Sequence, residues 1–125
     1  MELEKRLFVN LTFEAFMDFT ERGKRYEVRA YGRGWTERNV YAGRRVELRK
    51  AFSRGSLWGR INDVKTGTLE EIFDRIIDYH LVEPRAKSRE EAIDENKKLL
   101  NYAKNYIAFE IVLDQRKKVS RNTNK

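Results

Sequence analysis

Gly23-Lys24-Arg25-Tyr26-Glu27-Val28-Arg29-Ala30 is where the hydrophobic rhythm of the chain changes. Before it, Phe13, Phe16 and Met17 recur at i, i+3 and i+4, the spacing of one helix face, with Thr12 placed to cap that helix and Gly23 to stop it. From Arg25 onward, Tyr26, Val28 and Ala30 alternate with Arg25, Glu27 and Arg29, which is the period of a strand. On such a strand Glu27 and Arg29 project together from the face opposite Tyr26 and Val28, and Lys24 stands at the helix-to-strand corner. Three chemistries are open to that trio. The carboxylate can accept from a base edge or a ribose hydroxyl while the cations hold phosphate. Lys24 and Glu27 can act as a nucleophile or an acid–base pair. Or the group is an ordinary surface ion pair worth a fraction of a kcal/mol.

Outward from this stretch, Leu7 to Leu11 reads as a first strand, Tyr31-Gly32-Arg33-Gly34-Trp35 as a glycine-punctuated loop, and Arg45 to Arg49 as a second alternating strand. Leu57 to Val64 follows as another strand after a turn at Ser53-Arg54-Gly55-Ser56. Thr68-Leu69-Glu70-Glu71 fits a capping box, and Leu69, Ile72, Phe73, Ile76 and Ile77 make an amphipathic stripe behind it. Ser88-Arg89-Glu90-Glu91 fits a second box, opening a helix with Ala92, Asn96, Leu99 or Leu100, and Ala103 on one side. Tyr106 to Leu113 is apolar on both faces, as a central strand requires. The pattern predicts an α+β fold: a small mixed or antiparallel β-barrel of about five strands, with helices after strand one and before the last strand, and a groove where helix and strand ends meet. One domain over residues 1–114 and a basic, disordered tail over 115–125 are expected.

The 125 residues carry a formal charge of +7, unevenly spread. Arg22 to Arg60 holds 12 Lys/Arg against 3 Asp/Glu, residues 115–125 add +5, and the two remaining segments sum to −7. An arginine-rich middle favours phosphate-bearing partners, because guanidinium pairs with phosphate bidentately and stacks on bases; a solvated, charge-rich surface is the plain alternative. The sequence has no cysteine and one histidine, His80, which excludes disulfides, thiolate chemistry and multi-histidine metal sites. Leu7 to Leu11 is too short, and too interrupted by Asn10, for a membrane span or a leader, so the cytoplasm is the expected compartment.

Lys24, Glu27 and Arg29, straight after a helix and followed by a strand that opens at Gly43, resemble the Gly-x-Lys-x-x-Glu-x-Arg motif of the ASCH domain in the PUA-like superfamily. Ala42-Gly43-Arg44-Arg45-Val46 is similar to that family's Gly-Asp-x-Val segment, and Thr68-Leu69-Glu70-Glu71 to its helix start after the third barrel strand. The likeness runs in element order over about residues 7 to 113, although its sharp motif is a handful of residues. It implies a PUA-like barrel with a motif-lined cleft and a role in RNA binding or RNA metabolism. The chain departs from the pattern in having Arg22 in the motif glycine's place, with Gly23 beside Lys24, and Arg44 where an acid follows the glycine. Related acetylcytidine amidohydrolases use a threonine with the motif lysine and a later glutamate; Glu27 stands where that threonine would.

Lys24, Arg25, Glu27, Arg29, Arg33, Trp35 and Arg54 are therefore the expected nucleic-acid-binding residues, and Lys24 and Glu27 the catalytic candidates if the protein is an enzyme. Trp35 is either a stacking platform or folded back onto the core. Trp58 is expected in the core or a cleft wall, His80 partly buried and satisfied, and Glu90-Glu91-Asp94-Glu95 an acid-rich helix start. No metal or cofactor is expected. The expected partner is RNA or a nucleotide, with non-specific DNA a further candidate, no membrane, and a monomeric chain. A small hydrolase of modified nucleosides or RNA, and a protein-interaction domain, are the competing functions.

Overall fold

Thr12 ends the first strand and begins the first helix in one step: its hydroxyl accepts the Ala15 amide at 3.1 Å. The computed structural model describes residues 5–51, 56–76 and 78–114. Along the chain these form β1 (Leu7–Leu11), α1 (Phe13–Glu21), β2 (Tyr26–Ala30), β3 (Arg45–Lys50), β4 (Ser56–Gly67), α2 (Leu69–Asp74), a 3-10 turn (Tyr79–Leu81), α3 (Arg89–Leu99) and β5 (Tyr106–Leu113). The strands make one mixed five-stranded sheet in the order β1-β3-β4-β5-β2. The β1–β3 pairing is parallel and the others are antiparallel. The sheet curls into a half-barrel, the α+β architecture expected, with β1 and β2 as its two free margins.

Alternation sorts the side chains into two cores. Val9, Leu11, Val46, Leu48, Ile61, Ile107, Phe109 and Ile111 point into the concave side, which α1 plugs with Phe16 and Phe19. Tyr26, Val28, Tyr106 and Ala108 point outward from β2 and β5 and are covered by Leu69, Ile72 and Phe73 of α2 and Ala92 and Ile93 of α3. β5 is buried on both faces, as its sequence predicts.

Several local expectations need correction. Phe13 is not on the buried stripe of α1: it is 55 % exposed, because the inward face runs through Phe16 and Phe19. β4 extends three residues past Val64, to Gly67. Its register slips between Ile61 and Asp63, a bulge that interrupts the alternation from which a strand end is read. The Thr68 capping box is complete, whereas at Ser88 only half of one forms: Ser88 accepts the Glu91 amide, and Glu91 reaches the Lys87 amide instead. Of the alternatives Leu99 and Leu100, Leu99 is exposed and Leu100 packs on the outer core. His80 is exposed rather than partly buried, its ring against Tyr79 and 3.2 Å from the Ala86 carbonyl. Ile77, Arg54 with most of its turn, and the tail 115–125 lie outside the described residues.

Candidate functional site

The motif trio meets at the gap between the sheet's two margins. α1 ends at Arg22, and Gly23 turns the chain with φ +82°, a left-handed conformation that glycine adopts without steric cost. The turn sends Lys24 inward, where it is only 7 % exposed. Its Nζ donates to the Val82 carbonyl at 2.5 Å and lies 3.6 Å from Glu27 Oε1. Glu27 pairs across the ladder with Phe109 and Arg29 with Ile107, so both share the concave face, opposite Tyr26 and Val28 as predicted. Arg29 grips Glu27 Oε2 with Nε at 3.0 Å and Nη2 at 2.9 Å. Nη2 also donates to the Asn10 carbonyl at 3.0 Å, bridging β2 to β1 where no ladder joins them.

Beside the trio is an open hollow of about 470 Å³, walled by β1, α1, β2, the Glu83–Arg85 segment and α3. That volume is within the usual range of small-molecule sites, roughly 300–1,000 Å³. Four residues that sequence reasoning did not nominate complete it: Asp18, Glu83, Arg85 and Asn96. Asp18 is 2 % exposed and takes a forked pair of bonds from Arg85, Nε to Oδ1 and Nη2 to Oδ2 each at 3.0 Å, with Arg22 Nη1 at 2.7 Å. Burial alone would raise the Asp18 carboxyl, but the Arg85 and Arg22 hydrogen bonds outweigh it and hold it below its ordinary value. Glu83 behaves oppositely. Burial pushes its carboxyl up, Lys24 and an Asn96 hydrogen bond at 3.1 Å offset this in part, and the Glu27 and Asp18 charges add to the rise.

Asp18 had one legible signal: an acid in the last turn of a helix opposes the macrodipole, so it needs another partner. Asn96 was readable as the polar member of the inner face of α3. Glu83 and Arg85 had none, since only the tertiary fold carries their segment back to Lys24.

The other nominated residues scatter. Arg33, with φ 51°, and Gly34, with φ 93°, form the tip of a tight turn closed by the Gly32–Trp35 bridge. Trp35 folds back: one ring face stacks on Phe109 at 5.7 Å and Arg29 lies 4.6 Å from the ring centroid, so it braces the cleft wall. Arg33 and Trp35 line a shallower hollow that shares Arg29 and Leu100 with the main one. Arg25 is not in the cleft; it pairs with Glu110 at 2.7 Å on the outer surface. Among the described residues no cluster of three or more His, Cys, Asp or Glu is arranged to hold a metal ion, and no helix is long and apolar enough to cross a membrane.

The five-stranded half-barrel is a fold shared with an ASCH protein of solved structure. Two solved structures carry the likeness. A crystal structure of a point variant of ZmASCH from Zymomonas mobilis aligns with a TM-score of 0.59 at 11 % identity, over 98 % of this chain and 85 % of that one. The crystal structure of the hypothetical protein PH0355 aligns with a TM-score of 0.63 at 17 % identity, over 88 % of this chain and 100 % of that one. No family model matches the sequence, and comparison with curated proteins likewise finds no match.

Proposed function

We propose that the protein is a PUA-like RNA- or nucleotide-binding module whose margin cleft receives a single nucleotide unit. The observation that carries this reading is the convergence of Lys24, Glu27 and Arg29 on the concave face beside a hollow large enough for a nucleoside. The cleft's ionisable lining has no cationic excess, with four acids (Asp18, Glu27, Glu83 and Glu95) against three bases (Lys24, Arg29 and Arg85). Such a site recognises through directed hydrogen bonds rather than net attraction. Glu27 keeps acceptor capacity after its contacts to Lys24 and Arg29, since an ionised carboxylate offers about four lone-pair positions. A base edge or ribose hydroxyl suits those positions, and the partly exposed Arg29 and Arg85 stand at the rim for a phosphate.

A hydrolytic reading has one specific observation in its favour. Glu83, with its raised carboxyl, adjoins the buried Lys24, and a perturbed acid beside a lysine in a cleft is the kind of pair that moves protons. Binding is favoured over it because Glu27 takes the place a hydroxyl nucleophile would need.

An NMR titration with mononucleotides and short single-stranded RNAs separates the two. Binding predicts shifts at Lys24, Glu27 and Arg29 that vanish in Glu27→Gln, with the ligand recovered unchanged. Product formation from acylated nucleosides that is lost in Lys24→Met and Glu83→Gln, with folding intact, decides for hydrolysis. Silence of all three signals across the panel removes the cleft reading.

A further inference from the structure

We infer that the outer face of β1, β3 and β4 is a second nucleic-acid-binding surface, separate from the cleft, which takes a single-stranded segment of RNA by stacking bases on Phe8 and on the arginine guanidinium planes that cover the half-buried Trp58. The strand register builds this face. Phe8 pairs with Glu47, and Glu47 with Trp58, so the two rings lie in one row across three strands. They are two strand spacings apart, roughly 10 Å. Two register positions along, on the same face, Arg45 and Arg60 are partners, and two the other way Arg49 opposes Ser56. The intervening Val9, Val46, Leu48 and Ile61 point the other way, into the core, so this outward set is not needed to fill it.

The arginines lie over the rings. The Arg6 guanidinium carbon is 5.4 Å from the Phe8 centroid and 4.4 Å from that of Trp58, so it sits between them. Arg45 is 5.1 Å from Trp58, and Arg49 is 4.7 Å from Phe8. Beneath them Glu47 is only 9 % exposed, taking Arg6 at 2.7 Å and Arg49 at 3.9 Å. One carboxylate thus orders the layer while Arg49 keeps a half-exposed side chain. Asp114 meets Arg45 at 3.9 Å at the edge of the face. Phe8 itself is 44 % exposed. The helices that cover the sheet's exterior, α2 and α3, pack on Tyr26, Val28, Tyr106 and Ala108 of β2 and β5 instead.

Charge and ring chemistry together choose the occupant. Phosphates match the guanidinium excess, and unstacked bases match aromatic faces and guanidinium planes, which accept any base. A duplex hides its base faces, and an acidic peptide has nothing to stack.

The test is fluorescence anisotropy of the full chain with an oligouridine of about a dozen nucleotides, read across a salt series. Arg45→Gln with Arg49→Gln is expected to weaken binding about tenfold and to lower the slope of log affinity against log salt by roughly 1.4, for two phosphate contacts on a single strand. Phe8→Ser is expected to cost about fivefold with the slope unchanged, as for one lost stacking contact. The double arginine variant is expected to keep the mononucleotide-induced shifts at Lys24, Glu27 and Arg29, which read the cleft alone, so failure of the cleft reading and failure of this one are distinguishable. Wild-type affinity and slope in both face variants would overturn the inference. So would duplex RNA or polyglutamate binding as tightly as the single strand.

Discussion

Two regions of this molecule use the same side chains in opposite ways. In the margin cleft, Lys24 and Arg29 close on Glu27, and Arg85 on Asp18, with carboxylates at least as numerous as cations. On the outer face of β1, β3 and β4, Arg6, Arg45 and Arg49 lie over aromatic rings and Arg60 stands opposite Arg45, with the nearly buried Glu47 below and Asp114 at the edge. Buried ions must be matched, because an unmatched charge away from water is costly. Exposed ions need no match and are screened by salt within about 10 Å. Position therefore decides whether a basic residue supplies selectivity or attraction, and net charge alone does not.

Perturbing the buried network first should break this contrast most visibly. Asp18→Ala removes the acceptor of Arg85 and Arg22; both cations can turn to water, so the expected loss is about 2 kcal/mol at neutral pH, read by urea unfolding. Because the folded Asp18 carboxyl is held below its unfolded value, its contribution is present above the unfolded value and lost as pH falls through the folded one. The gap between variant and parent should accordingly narrow in acid. Arg29→Ala takes away the Asn10 bridge and the cover over Trp35, and about 1 kcal/mol is expected to go with it.

Glu83→Gln sharpens the comparison by reversing the sign. Its carboxyl is raised in the folded state, so the parent loses stability as pH climbs from the unfolded value through the folded one. The glutamine variant should match the parent in acid and exceed it at neutral pH, a difference that thermal melts across pH will register. At the small end, Arg45→Gln on the outer face should change stability by less than about 0.5 kcal/mol while altering the salt dependence of RNA binding.

Much of the scaffold is legible in the residues themselves. The change of period at Gly23, the Thr12 and Thr68 caps and the doubly apolar Tyr106–Leu113 segment give the element order and the central strand. The trio is legible for the same reason, since period two puts Glu27 and Arg29 on one face wherever the strand sits. What the sequence hides is set by long-range pairing. The β4 bulge masks the strand's length, Glu83 and Arg85 reach the cleft through a connection with no periodicity, and Arg25, one residue before β2 begins, departs from the alternation to reach Glu110. The row of Phe8, Glu47 and Trp58 exists only once the register between three separate strands is known.

The Arg29 contact to the Asn10 carbonyl has a mechanical consequence. Among the described residues it acts as a stitch between β1 and β2, where the curled sheet is not laced by its own backbone. A guest that draws the Arg29 guanidinium toward itself undoes that stitch, and the β1 margin then breathes more freely. Occupancy of the cleft would be felt as quicker amide exchange along Leu7–Leu11, which makes the first strand a built-in reporter of what the pocket holds.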